Sequence, residues 1–212
     1  MSLETLYIPI TDSNITEFKR LSPKPMDCVI NALEIVKYID SKEAEHLRQT
    51  YGNKGFDIRS IENMMSALYS RLPSNRKYTY LKTGEIVSDM IFTLKPYSYF
   101  DFIKFYKKME TNVCTICAFD CVKNGQRFKH VFLIAKNSNG HYVYIDPQIP
   151  SSSGNVFMKD ITMIDDFYDH FSGWCEQKGS FKQLNGIFYI LNWHNIYPAI
   201  DDLELELEKL AL

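Results

Sequence analysis

Residues 113–146 contain three runs of β-branched and small apolar residues that are separated by two short turns. The runs are VCTICAFDCV (113–122), HVFLIAK (130–136) and HYVYID (141–146), and the turns are KNGQ and NSNG. Strands that are joined by such tight turns pair antiparallel, because a parallel pairing needs a long crossover connection. This segment therefore predicts an antiparallel meander, and GIFYILNW (186–193) predicts a further strand.

The first half of the chain has apolar residues at helical spacing instead. Residues 28–40 and 57–72 carry i, i+3/i+4 stripes, and Asp57 is suited to cap the second of these helices. Residues 84–94 and 98–109 are also expected to be helical. Because helices precede the strands rather than alternate with them, the order favours an α+β fold over a parallel α/β fold.

The length of 212 residues fits a single domain, and its 45% hydrophobic and 24% charged residues are ordinary for a globular protein. We expect a helical part at about 1–110, a sheet part at about 111–195 and an acidic, leucine-rich helix at about 199–212. No linker longer than the SSSGN loop at 151–155 separates these parts.

The charge balance and the cysteine count exclude several classes of protein. A net charge of −2 argues against sequence-independent nucleic-acid binding, and no apolar run approaches the ~20 residues that span a bilayer. The N-terminus has no basic segment before an apolar stretch, and five unevenly spaced cysteines do not form a disulfide framework. We therefore expect a cytoplasmic protein with neither a nucleic-acid nor a membrane partner.

Cys28 is the first candidate for a chemical role, because it falls in the first turn of a predicted helix, after a loop that contains Pro23 and Pro25. The free N–H groups and the positive end of the helix dipole stabilise a thiolate at that position. Only the thiolate is a competent nucleophile. A lone cysteine at a helix start is otherwise a small apolar core residue.

His130 and Asp146 complete a possible catalytic set. His130 opens one strand of the NSNG hairpin and Asp146 ends the other, so the two side chains are expected to be neighbours. Asp146 can then hold one imidazole nitrogen and leave the other for a thiol. His141 stands at the turn, at the far end of the hairpin from Asp146, which makes His130 the preferred base.

These residues lie in three short motifs, PMDCVINALEIV, KHVFLIA and HYVYIDPQ, whose order resembles that of the papain-like superfamily of cysteine hydrolases. The Asp-Cys pair is similar to that of the double-glycine leader peptidases, and GHYVYIDPQ is similar to a motif of papain-fold toxin deamidases. The resemblance covers residues 20–150. It implies a papain-like fold with Cys28 as nucleophile, His130 as general base and acid, and Asp146 as the residue that orients His130.

One position departs from the papain-like pattern. Many of these enzymes have a glutamine six residues before the cysteine, where it donates to the oxyanion, and here Ser22 occupies that place. The backbone N–H of Cys28 can supply one oxyanion donor, and Ser22 and Asn14 are candidates for the second. Gln148 is either a hydrogen-bond partner of Asp146 or simply a turn residue after Pro147.

No cofactor or metal is expected. The phosphate-binding patterns GxxxxGK[ST] and GxGxxG have no match in the chain. Cys114, Cys117 and Cys121 contain a CxxC spacing, but they lie in a predicted strand, where Cys114 and Cys117 face opposite sides.

Three functions remain open at this point. The first is a thiol hydrolase that cleaves a peptide or isopeptide bond of a protein substrate, including removal of ubiquitin-like modifiers. The second is a protein glutamine deamidase on the same fold, and the third is a non-catalytic papain-fold binding protein. The sequence leaves the oligomeric state open.

Overall fold

The computed structural model describes residues 4–18, 21, 24, 27–51, 56–71, 90–163, 166–179 and 182–195. The helices in these ranges are α1 (Asp12–Phe18), α2 (Cys28–Ile35), α3 (Ser41–Tyr51), α4 (Ile58–Arg71), α5 (Tyr99–Lys107) and α6 (Asp166–Phe171). The strands are β1 (Glu4–Thr5), β2 (Ile8–Pro9), β3 (Met90–Tyr97), β4 (Val113–Lys123), β5 (Gln126–Lys136), β6 (Tyr142–Pro150), β7 (Val156–Ile161), β8 (Glu176–Gln177) and β9 (Leu184–Asn195). None of the helices in these ranges is long and apolar enough to cross a membrane.

The strands form a mixed α+β fold around a large antiparallel sheet, as expected. The sheet order is β1-β9-β4-β5-β6-β7, while β3 and β8 also pair with β9 and β2 pairs with β4. Strands β4, β5 and β6 are the predicted meander, but β5 begins at Gln126 rather than at His130, and β6 continues past Asp146 to Pro150. The β4–β5 connection is the dipeptide Asn124-Gly125, whose φ angles of 52° and 75° suit the two-residue hairpin turn.

Each face of the sheet carries its own hydrophobic core, because successive strand residues point to opposite sides. On one face Ile116 and Ala118 of β4 pack with apolar residues of α1, α2, α3 and α4. On the other face Cys117 and Phe119 pack with the aromatic side chains of α5 and α6. The helix that begins at Cys28 therefore lies on the first face.

The expected helix at 84–94 is wrong over the part that the structure describes, because Met90–Tyr97 is strand β3. Met90, Phe92 and Leu94 are buried while Ile91 is exposed, which is the period-2 pattern of a strand that pairs along its length with β9. Residues 84–89 and the expected helix at 199–212 lie outside the described residues.

The expected division into a helical and a sheet part needs a related correction. Strands β1, β2 and β3 lie within residues 1–110, and helix α6 lies within 111–195. Both parts therefore contribute to one sheet and its two cores. Helix α2 is also shorter than expected from residues 28–40, since the chain leaves the helix at Val36 and Lys37 takes a left-handed φ of 58°. The predicted helices around α4 and α5 are confirmed.

Candidate active site

Cys28 is the first residue of α2, as expected, and its side chain is half-buried. Asp27 precedes it in the N-cap position, but the carboxylate of Asp27 makes no capping hydrogen bond to the helix. The first N–H groups of an α-helix have no acceptor within the helix itself. The first turn of α2 therefore presents uncapped backbone donors beside the Cys28 thiol, where they favour negative charge.

Arg48 of α3 explains why Asp27 does not cap the helix. Its Nε lies 3.2 Å from Oδ2 of Asp27, and its Nη2 donates to Oδ1 of Asn31 at 2.9 Å and to Oε2 of Glu34 at 2.8 Å. The side-chain amide of Asn31 also donates to the backbone oxygen of Lys24 at 2.8 Å. The half-buried guanidinium of Arg48 thus ties the start of α2 to α3 and holds the Asp27 carboxylate away from the helix.

His130 and Asp146 meet where β5 and β6 separate. The paired residues of these two strands run from Lys136–Tyr142 to Leu133–Ile145, and His130 and Asp146 follow that last pair. Nε2 of His130 lies 3.0 Å from both carboxylate oxygens of Asp146. The structure therefore brings together the two side chains that the hairpin geometry placed as neighbours.

Asp146 is buried, but four donors surround its carboxylate. Besides His130, the hydroxyl of Tyr144 donates to Oδ2 at 3.0 Å, and the backbone N–H groups of Gln148 and Ile149 donate to Oδ1 at 2.9 and 3.1 Å. Burial raises the pKa of Asp146, but the hydrogen bonds outweigh it and hold that pKa below its usual value. Asp146 is therefore an anion with a fixed orientation.

The Cys28 side chain is within hydrogen-bonding reach of the His130 imidazole. Because Nε2 faces Asp146, Nδ1 is the ring nitrogen left for the thiol. Burial lowers the pKa of His130, but the hydrogen bonds to Asp146 and Cys28 outweigh it and raise that pKa from 6.5 to about 9. The imidazole is therefore protonated at neutral pH, between a carboxylate and a sulfur atom.

Trp174 packs against one face of the His130 imidazole. Its ring stacks on His130 with the centroids 6.0 Å apart and the planes 19° from parallel, and Phe119 lies 5.8 Å from the same ring. These aromatic neighbours restrict the orientation of the ring, and the side chains of His130 and Asp146 are only 9% and 1% exposed. Trp193 belongs to the other hydrophobic core, on the sheet face that carries α2.

A cavity of about 320 Å³ opens beside Cys28 and His130. Its apolar wall is formed by side chains of α2, α4 and the central strands, and its far rim is charged. The lining residues are Cys28, Val29, Phe56, Asp57, Ile61, Ala118, Phe119, Asp120, Lys129, His130, Val131 and Tyr189. The Cys28 thiol and the His130 imidazole therefore lie beside a space that is large enough to hold part of a ligand.

The other candidate residues take different places. Gln148 does reach Asp146, but through its backbone N–H. Ser22 and the side chain of Asn14 lie outside the described residues, and His141 is exposed at the β5–β6 turn. Cys114 and Cys117 are buried on opposite faces of the sheet, and in the described ranges no three His, Cys, Asp or Glu side chains are grouped to hold a metal ion.

Arg48, Tyr144 and Trp174 contribute to the site without having been identified from the sequence. Of these three residues, only Tyr144 could have been predicted from the sequence, because it lies two residues before Asp146 and so points to the same face of β6.

Compared with known proteins, the chain matches no family model and no curated protein.

The raised pKa of His130 predicts a pH-dependent stability. A group whose pKa is higher in the folded state stabilises the fold below its unfolded pKa, and this contribution is lost as the pH rises through the folded value. For His130 that window runs from 6.5 to about 9. We expect the free energy of unfolding to fall by about 3 kcal/mol across it, as measured by urea unfolding.

The matched control is His130→Gln, which keeps a hydrogen-bond donor for Asp146 but cannot titrate. Its unfolding free energy should change less than that of the wild type between pH 6 and pH 9.5. Equal changes in the two proteins would show that His130 is not charged in the folded state.

Proposed function

We propose that this protein is a cysteine hydrolase of the papain-like kind that acts on an amide bond of a protein substrate. The observation that carries the proposal is the continuous set of contacts from Asp146 through His130 to Cys28 at the edge of a cavity. A buried imidazolium between a carboxylate and a thiol is the arrangement that activates a sulfur nucleophile. A purely structural histidine would not need a cavity beside its sulfur partner.

The first half of the reaction forms a thioester. The Cys28 thiolate attacks the carbonyl carbon, and a C–S bond forms as the oxygen becomes an oxyanion. The backbone N–H groups at the start of α2 can donate to that oxyanion and stabilise it. When the C–N bond breaks, the His130 imidazolium gives its Nδ1 proton to the leaving nitrogen, which departs as an amine.

The second half regenerates the enzyme. Neutral His130 removes a proton from water, and the resulting hydroxide attacks the thioester carbon. The C–S bond breaks, the acid product leaves, and Cys28 and His130 return to the thiolate–imidazolium pair. Asp146 holds the ring in one tautomer and stabilises its positive charge in both halves.

Peptide, isopeptide and side-chain carboxamide bonds all fit this mechanism, because each has a nitrogen leaving group. We favour cleavage of a peptide or isopeptide bond, including release of a ubiquitin-like modifier. The Asp146-Pro147-Gln148 sequence, which is similar to that of papain-fold deamidases, makes glutamine deamidation the second candidate. A binding protein that uses the same cleft without catalysis is the third.

Brief alkylation with iodoacetamide at pH 6 tests whether Cys28 is an activated nucleophile. We expect peptide mass mapping to find Cys28 modified first, because it is half-exposed and paired with His130. Burial raises the pKa of Cys114 and raises that of Cys117 to about 12. A hydrogen bond to Cys121 raises the pKa of Cys175, while Cys121, whose own pKa is lowered, is only 2% exposed.

The matched control is the His130→Gln variant, in which labelling of Cys28 should slow while the other thiols are unaffected. Faster labelling of any other cysteine in the wild type would contradict the assignment of the nucleophile.

Product analysis distinguishes the three candidate functions. New amino termini on a peptide library indicate proteolysis. Ammonia release without chain cleavage indicates deamidation, and neither product from a reactive Cys28 indicates a binding protein.

A further inference from the structure

The sheet face that holds the cavity continues beyond it into solvent. In β4, β5 and β9, residues of this face are paired as Asp120 with Lys129, Val122 with Arg127, and Asp120 with Ile187. We call this surface the sheet platform, and its residues are Asp120, Val122, Arg127, Lys129, Ile187 and Tyr189. Asp120, Lys129 and Tyr189 also line the cavity beside Cys28, so the platform is continuous with the candidate active site.

The exposed chemistry of the platform is apolar and cationic. Val122 is 38% exposed and Ile187 is 46% exposed, although each is paired with a residue of a neighbouring strand. The side chains of Arg127 and Lys129 are 66% and 46% exposed, whereas that of Asp120 is only 12% exposed. The platform therefore presents two cations to solvent while the chain as a whole has a net charge of −2.

Asp120 orients the guanidinium of Arg127 so that it can bind a second carboxylate. Nε and Nη2 of Arg127 donate to the two oxygens of Asp120 at 2.7 and 2.6 Å, which uses two of the five N–H groups of the guanidinium. The remaining N–H groups are held in one orientation, so a partner that binds them loses little side-chain entropy. Lys129 lies 3.7 Å from Asp120, which leaves its ammonium able to turn toward a partner.

We propose that the sheet platform docks the segment of the protein substrate that adjoins the bond to be cleaved, and that this segment carries acidic side chains beside apolar ones. Its carboxylates bind Arg127 and Lys129, and its apolar side chains cover Val122 and Ile187. A nucleic-acid backbone fits less well, because Asp120 lies between the two cations and repels a continuous row of phosphates. This inference rests on the proposed hydrolase function and names its substrate class.

Binding can be measured without catalysis in the Cys28→Ala variant. The probes are two fluorescein-labelled peptides of twelve residues, one with alternating leucine and glutamate and one with glutamine in place of each glutamate. We expect the acidic peptide to bind about tenfold more tightly by fluorescence polarisation, with an affinity that falls as salt is added. Lys129→Glu, added to the same protein, should remove that preference.

Lys104→Glu is the matched control, because it reverses an exposed lysine of α5 on the opposite face of the sheet and should leave the preference unchanged. The Lys129→Ala variant should also reduce the preference for the acidic peptide. It provides a second test of the proposal if Lys129→Glu does not fold. Equal binding of the two peptides, or equal effects of Lys129→Glu and Lys104→Glu, would overturn the proposal. So would a DNA of twelve nucleotides that competes as well as the acidic peptide.

A hydrolysis assay separates this inference from the function on which it rests. Wild-type protein and internally quenched forms of the same two peptides are used. Cleavage of both peptides at equal kcat/KM would support the hydrolase and overturn the acidic preference. Tight binding of the acidic peptide with no cleavage of any amide would support docking at the platform and contradict the hydrolase.

Discussion

Replacement of Cys28 by alanine is expected to remove hydrolysis while the protein remains folded. The sulfur forms the bond to the substrate carbon, and alanine offers no atom that can replace it. Loss of the nucleophile in such a catalytic set lowers kcat by about 10⁴-fold or more. Stability should change little, because Cys28 is half-buried in a first helical turn and its removal leaves no closed cavity.

The control for this variant is Cys114→Ala, which removes a thiol that is fully buried in the core on the same face of the sheet. It should lower the melting temperature by more than Cys28→Ala does, yet keep the wild-type kcat/KM below its melting temperature. Wild-type turnover by the Cys28→Ala protein would refute the mechanism.

Cys28→Ala has a second consequence that does not depend on a substrate. The hydrogen bond to Cys28 helps raise the pKa of His130 to about 9, so this pKa should fall when the sulfur is removed. Nuclear magnetic resonance of the imidazole protons would follow the change. An unaltered titration would show that the thiol and the ring do not interact, whatever the activity of the variant.

The parts of the site that could be predicted from the sequence are those that follow from local geometry. The prolines before Cys28 and the apolar spacing after it predict a helix that starts at this residue. The contact between His130 and Asp146 follows from a single hairpin, because both residues lie beyond Leu133–Ile145, the last pair that joins its two strands. Neither prediction needed knowledge of how distant segments pack.

The parts that could not be predicted depend on contacts between segments that are far apart in the sequence. Arg48 reaches Asp27 from another helix, and Trp174 reaches His130 from the loop after α6. The sequence positions of these residues do not predict either contact, because both contacts depend on the tertiary packing of separate elements.

The predicted helix at 84–94 was wrong for a different reason. The apolar residues of the segment 84–94 are compatible with a helix as well as with a strand. Pairing with β9 along the whole of Met90–Tyr97 decides in favour of the strand. Short apolar runs carry this ambiguity whenever the pairing partner lies far along the chain, as β9 does here.

The carboxylate and the imidazole should differ in their importance for catalysis. His130→Ala removes the group that moves protons in both half-reactions, and we expect kcat/KM to fall by about 10³-fold or more. Asp146→Asn should cost roughly 10–100-fold, because in a thiolate–imidazolium pair the proton has already moved before the substrate arrives. The measurement is kcat/KM on one peptide, with all variants kept below their melting temperatures.

The hydrogen bonds of Asp146 explain why asparagine and alanine should differ at this position. In Asp146→Asn the amide oxygen can keep the N–H groups of Gln148 and Ile149, while the amide nitrogen can donate to the hydroxyl of Tyr144. In Asp146→Ala these donors and Nε2 of His130 are left buried without an acceptor, which costs about 3 kcal/mol or more of stability. We therefore expect Asp146→Ala to melt well below Asp146→Asn and to be the less active of the two. If His130→Ala retained more activity than Asp146→Ala under conditions where both are folded, the roles assigned to the two residues would be wrong, and His141→Ala would be the next variant to assay.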